Sequence, residues 1–300
     1  MIKHWLNAFR LRTLPLAFSA VITGTALAVD LGMFDWIIFT LALTTTLFLQ
    51  ILSNLANDYG DAEKGTDNEN RIGPKRSIQS GVISMTQMKK AIVFFICLSL
   101  CSGLFLVLYA TRMISFWYPL IFIMVGVFSI IAAIKYTAGK GAYGYKGLGD
   151  IFVFVFFGLV GVIGNAVLQV HCFNFNMILP AISIGCFSAA VLNLNNMRDW
   201  KNDKDSKKNT LVVKVGLLKA KRYHFIILII GMTSSIAYAL QQKFKLIDLI
   251  FILAFIPILL HLKTINKIIN TPAQFDPELK KVALSTFLFS IFFLMSTIVR

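Results

Sequence analysis

The chain has 300 residues, 57% of them hydrophobic and 14% charged, with a mean hydropathy of +0.74. A soluble domain of that length needs far more polar surface, so a water-soluble globular protein is excluded. The formal net charge is +15. That could mark a nucleic-acid binder, but the cations fall between apolar runs on alternate sides, which points to a lipid bilayer and away from nucleic acid.

Apolar runs of about 18 residues or more are long enough to cross a bilayer as helix. Taken in order, spans are predicted near 14–31, 36–56, 91–110, 114–134, 150–170, 177–197, 223–241, 246–262 and 282–299. The stretch MIKHWLNAFRLRTLPLAF has no small-residue site after a short apolar core, so a cleaved signal peptide is not expected. Lys and Arg number 29, and 25 of them lie on the side that holds residues 57–90, 135–149, 198–222 and 263–281. Such a bias makes that side cytoplasmic, in the inner membrane, with the N-terminus inside and, after nine spans, the C-terminus outside. Cys97, Cys101, Cys172 and Cys186 sit in or beside spans without a C-x-x-C pair and read as apolar packers. The four histidines show no zinc-ligand spacing.

The expected fold is an all-α integral membrane protein of about nine transmembrane helices. An internal repeat organises it. NDYGDAEKGTD (57–67) lies over NNMRDWKNDKD (195–205) with an offset of 138, so that Asn57 meets Asn195, Asp61 meets Asp199 and Asp67 meets Asp205. Gly65 opposite Asp203 is the mismatch in the acidic frame. The chain therefore reads as one transmembrane domain over 1–300, with repeat halves of about 10–135 and 148–270 and a ninth helix, around a central cavity.

Both acidic strings leave the membrane on the basic side. Asp58 and Asp61 are i, i+3, and Asn195, Asp199 and Asp203 are i, i+4, i+8, so each set shares a helix face. Carboxylates without His or Cys suit a hard divalent cation, and Mg²⁺ commonly shares phosphate oxygens with a substrate. DNENRIGPKRSI has Ile72 at its sixth position and no Glu at its twelfth, so it is not a calcium loop. Arg71, Lys75, Arg76, Lys207 and Lys208 follow the acids, as expected around a diphosphate. A third loop, KYTAGKGAYGYKGLGD (135–150), supplies glycines, lysines and tyrosines whose ring faces can stabilise a cation. An apolar cavity with a metal and cations at its mouth suits ionisation of an allylic diphosphate and capture of the prenyl cation away from water.

At these residues the chain resembles the UbiA superfamily of intramembrane prenyltransferases. The motifs are Asn57 to Asp61 after the second helix, Asp199 to Asp203 after the sixth, and Tyr136 to Lys140 between the fourth and fifth. Longer strings at 12–28, 57–81, 143–159 and 195–211 are most similar to the branch acting on 1,4-dihydroxy-2-naphthoate. The resemblance implies transfer of an all-trans polyprenyl chain from polyprenyl diphosphate to that acceptor, with loss of CO₂ and diphosphate. It implies Mg²⁺ held by Asp58, Asp61, Asp67, Asp199 and Asp203, with Asn57 and Asn195 assisting. Arg71, Lys140, Arg198 and Lys208 are expected on the diphosphate, Tyr136 and Tyr145 facing the allylic cation, and Lys146 or Arg12 on the acceptor carboxylate. The motifs encode neither prenyl chain length nor oligomeric state.

Two positions depart from the pattern. Gly65 stands at an acidic position of the superfamily; the naphthoate branch typically has Gly there and Asp two residues on, which Asp67 matches, leaving open whether Asp58 or Asp67 replaces the missing ligand. Lys207 stands where that branch usually has Gly. Other aromatic acceptors (4-hydroxybenzoate, homogentisate, a chlorophyllide) remain open at this level. A CDP-alcohol phosphotransferase lacks support because its D-x-x-D-G-x-x-A-R block is missing. A transporter would hold its acids near the membrane midplane.

Overall fold

The computed structural model describes residues 2–69, 72–73, 75–114, 117–268 and 271–300. Among the described residues nine helices are long and apolar enough to cross a membrane: α1 (Ile2–Asp30), α2 (Trp36–Glu63), α3 (Met85–Ala110), α4 (Trp117–Lys135), α5 (Gly149–Val170), α6 (Phe175–Asp205), α7 (Leu217–Gln241), α8 (Leu246–Ile265) and α9 (Pro272–Val299). No strand occurs among the described residues.

Local chemistry sets the helix starts. Asp35 caps α2 by accepting from the backbone N–H groups of Ile37 (2.7 Å) and Ile38 (3.2 Å). Ser84 and Gln87 form a reciprocal capping box at the start of α3. α1 is broken near its beginning: Arg10 takes a left-handed conformation (φ 50) between Ile2–Phe9 and the apolar stretch Leu14–Asp30.

The predicted spans are all present, but several helices run past them. α2 continues beyond residue 56 to Glu63, α6 beyond 197 to Asp205, and α9 begins at Pro272 and not near 282. Hydropathy detects the apolar middle of a helix. The polar ends stay helical because their charged side chains pair with one another, as set out below.

Glycines set the closest helix approaches. A Cβ on Gly24 of α1 would lie 2.5 Å from the Val162 carbonyl oxygen of α5. A Cβ on Gly158 of α5 would lie 2.5 Å from the Ala181 carbonyl oxygen of α6. Small residues let membrane helices pack backbone to backbone, because hydrocarbon supplies no hydrophobic drive between them. Both contacts fall within Phe154–Ile163, where α5 widens to π geometry. π-turns are rare and concentrate at functional sites.

The region built on α6 to α9 has a solid core. Phe187 of α6, Phe251 and Phe255 of α8, and Phe289 and Phe293 of α9 are buried against one another, with ring centroids 5.4–6.4 Å apart. A buried polar chain ties the same helices together nearer their basic ends. His224 of α7 meets His261 of α8 (Nε2···Nε2 2.8 Å), and His261 Nδ1 meets Glu278 of α9 at 2.6 Å. Residues of α1 to α6 and of α9 instead surround one cavity of about 820 Å³, to which α7 and α8 contribute no lining residue.

Candidate active site

The last two turns of α2 carry Asn54, Asn57, Asp58 and Asp61. The helix stops because Gly65 adopts φ +70. The Thr66 N–H then bonds the Asp61 carbonyl (2.9 Å) and the Gly65 N–H bonds that of Ala62 (3.2 Å), a Schellman ending. α6 ends the same way. Lys207 adopts φ 56, the Lys208 N–H bonds the Asp203 carbonyl (2.8 Å) and the Lys207 N–H bonds that of Lys204 (3.1 Å). At the caps, therefore, Asp61 matches Asp203 and Gly65 matches Lys207. The 138-residue frame pairs Asp61 with Asp199, so α6 runs one turn further than α2 before the same ending. Both departures share this cause: Gly65 replaces an acid because α2 is already turning there, and Lys207 occupies the equivalent left-handed position of α6.

The two endings meet. Asn202 of α6 donates to the Thr66 carbonyl at 2.9 Å, and Asn68 donates to Ser206 at 3.4 Å. The Lys208 ammonium lies 3.1 and 3.2 Å from the two Asp61 carboxylate oxygens. Burial opposes its charge, but Asp61 and Asp203 outweigh burial and hold Lys208 above the usual lysine value. Tyr145 donates to Asp61 (2.7 Å) and shares a 2.6 Å hydrogen bond with Thr66. Its ring lies beneath two ammonium groups, Lys64 at 4.5 Å and Lys208 at 5.1 Å from the centroid. Burial and the adjacent Asp61 push the Tyr145 phenol far up, so it stays a neutral donor.

The other acids are also paired. Asp58 is bonded by Arg10 and lies 3.5 Å from Arg76, which is 3.7 Å from Asp67. Arg198 grips Asp199 with two prongs (2.9 and 2.7 Å), Asn195 at 2.7 Å and Asp276 of α9 at 2.8 Å. Asp58, Asp61, Asp67, Asp199 and Asp203 are all buried.

The 135–150 loop is seated by Gly60. A Cβ there would fall 2.6–2.8 Å from backbone atoms of Thr137 and Ala138. That contact lets Thr137 donate to the Ala56 carbonyl (3.0 Å) and meet Asn57 (3.1 Å). Tyr136 follows at the cavity wall, its phenol pushed well up by burial and by Asp150. Tyr143 stacks on Phe152 of α5 with centroids 3.8 Å apart.

Of the expected residues, Asn57, Asp61, Tyr136, Asn195, Arg198, Lys208 and Arg12 line the cavity. Asp58, Asp67, Asp199, Asp203 and Tyr145 stand behind that lining. Lys140 and Lys146 are exposed and do not line it, and Arg71 lies outside the described residues. Arg10, Thr66 and Asp276 join the site with no signal in the sequence, and Arg76, a base that follows the first acids, joins them. Their partners are far away in sequence and no short motif carries them. Deeper, the wall is apolar, with Phe122, Phe152, Phe156 and Phe157 among its residues.

The donor set suits a hard cation. It offers carboxylate and amide oxygens without His or Cys, and an ammonium already sits across both oxygens of Asp61. Among the described residues no three acids, histidines or cysteines yet converge as a metal cluster. Asp58, Asp61 and Asp199 instead face Arg10, Lys208 and Arg198.

The UbiA prenyltransferase family matches residues 17–295. The chain belongs to that family. It is 49% identical over 255 residues to an Escherichia coli (strain K12) protein named 1,4-dihydroxy-2-naphthoate octaprenyltransferase, covering 84% of this chain and 81% of that one. A Haemophilus influenzae protein of the same name is 39% identical over 300 residues, covering 99% and 96%. A UbiA homolog from Archaeoglobus fulgidus, solved bound to DMAPP and Mg²⁺, has the same fold at TM-score 0.67 and 15% identity, over 99% of this chain and 100% of that one. The apo structure of another UbiA homolog, from Aeropyrum pernix K1, gives TM-score 0.70 at 13% identity over 95% and 97%.

Proposed function

We propose that this UbiA-family protein transfers an all-trans polyprenyl chain from polyprenyl diphosphate to 1,4-dihydroxy-2-naphthoate, releasing diphosphate and CO₂ and giving demethylmenaquinone in its quinol form. The observation that carries the reaction class is the Lys208–Asp61 contact, 3.1 Å, which joins the α2 and α6 acid motifs at the polar mouth of an apolar cavity. The choice of acceptor is supported by the relatives named for that substrate.

Asp61 and Asp199, with Asp58, Asp67 and Asp203, are the residues that would hold Mg²⁺; the ion, when bound, neutralises the charge gathering on the diphosphate leaving group. Lys208, Arg10 and Arg76 supply further cations at the same mouth, able to turn from carboxylate to phosphate oxygens. The C–O bond breaks and diphosphate departs with the electron pair. Tyr136 presents a ring at the cavity wall to the allylic cation, and Tyr143 stacked on Phe152 extends that surface. Attack by the ring carbon that bears the acceptor carboxylate forms the new C–C bond, and CO₂ leaves in place of a proton. Arg12 lines the cavity and is the better placed of the two residues expected on that carboxylate; Lys146 is exposed and does not line the cavity. The basic side, and with it the mouth, faces the cytoplasm.

Purified protein supplied with Mg²⁺, the naphthoate and a mixture of polyprenyl diphosphates tests this by mass spectrometry of the products. Prenylated, decarboxylated naphthoquinol is expected, with 4-hydroxybenzoate left untouched. Prenylation of 4-hydroxybenzoate instead of the naphthoate defeats the assignment of acceptor.

A further inference from the structure

α9 lies outside the two repeat halves, yet it reaches the second acid motif. Asp276, in its first turns, accepts from Arg198 Nη1 at 2.8 Å and lies 3.1 Å from Lys280 through its other oxygen. Arg198 is only 3% exposed at its side chain, and its remaining prongs are spent on Asp199 and Asn195. Two residues on, Glu278 points the opposite way into the core, where it meets His261 (2.6 Å) and Lys281 (2.8 Å). The Glu278–His261–His224 chain packs the start of α9 against α8 and α7 on the side away from Asp276.

Asp199 cannot serve a metal while both its oxygens hold Arg198. A buried guanidinium cannot give up its only counter-ion without being stranded. We infer that Asp276 is a positioning residue for the prenyl-transfer site: it is the second anion that keeps Arg198 neutralised, so that Asp199 is released to the metal. The inference rests on the proposed metal–diphosphate reading of the cavity mouth. It assigns α9 a role in the second acid motif that the repeat itself does not contain. In the first motif the corresponding cations, Arg10, Arg76 and Lys208, come from a break in α1 and from loops.

Mn²⁺ binding to the purified protein with inorganic pyrophosphate, followed by electron paramagnetic resonance without turnover, tests it. Asp276→Asn is expected to weaken Mn²⁺ by about tenfold or more, the range seen when partners of metal ligands are removed, while Asp276→Glu stays within about threefold of the parent. With the stranded cation removed as well, Arg198→Gln/Asp276→Asn binds Mn²⁺ more tightly than Asp276→Asn alone, because Asp199 is no longer captured. A residue of merely structural importance predicts the reverse, a double variant at least as weak as the single one. Glu278→Gln, which breaks the neighbouring buried chain, lowers the melting temperature without weakening Mn²⁺.

The inference is overturned if Asp276→Asn binds Mn²⁺ within about twofold of the parent, or if the double variant is no better than the single. Should Asp276→Asn fail to fold, the charge-balanced double variant decides, and binding about tenfold weaker than the parent contradicts the inference. A parent protein that takes up no Mn²⁺ refutes the metal reading itself; a parent that binds, with all variants alike, refutes only the role of Asp276.

Discussion

Lys207 sits at φ 56 with its side chain exposed, in the left-handed position that ends α6. A side chain there costs about 1 kcal/mol relative to glycine, from the crowding of Cβ against the following carbonyl. The turn that follows aims Lys208 at Asp61, so the strained residue stands next to the contact that joins the motifs. Lys207→Gly should raise stability by about 1 kcal/mol, read as a higher melting temperature in detergent, with Lys208 still on Asp61. An unchanged or lower melting temperature would mean the Lys207 side chain contributes a contact that outweighs its strain. At this scale the sequence was legible in part. Asp61, Asp199 and Lys208 stood out because motif and spacing marked them. Gly65 looked like a lost ligand because a sequence frame cannot show that α2 turns one helical turn earlier than α6. Asp276 carried no signal, since its partner Arg198 is 78 residues distant.

Helix ends gather the charged side chains here, and helix middles carry the packing. Apolar length marked every span, because a bilayer admits only segments whose backbone is satisfied internally. The ends were less legible. Residues 272–281 read as a basic loop, whereas they form the start of α9 and hold both Asp276 and Glu278. The break of α1 at Arg10 was likewise invisible, although it brings that guanidinium to Asp58. Gly60 shows how one element seats another: it lets the end of α2 touch the backbone of the 135–150 loop. Gly60→Ala would drive a Cβ to 2.6 Å from the Thr137 carbonyl carbon, against main chain that has no rotamer to change. A loss of about 1–3 kcal/mol in stability is expected, with slowed turnover as Tyr136 and Tyr145 are displaced. Thermal melting and a prenyl-transfer assay check it; a variant matching the parent in both would show that the loop is free to move.

Across the whole molecule two regions serve different ends. The α6–α9 side is filled by stacked phenylalanines and a buried His–His–Glu chain, while α1 to α6 and α9 leave an apolar cavity whose mouth gathers the acids and cations. The two acid motifs meet at one end of the helices, and α6 runs one turn further than α2 before the same ending. The central claim is that these motifs jointly hold one metal–diphosphate group. Crystals grown with Mn²⁺ and inorganic pyrophosphate test it through the anomalous signal of manganese. Peaks should lie between Asp61 and Asp199, touching carboxylates of both α2 and α6, with Lys208 drawn off Asp61 toward phosphate. Manganese bound by one motif alone, or away from both, would contradict the account.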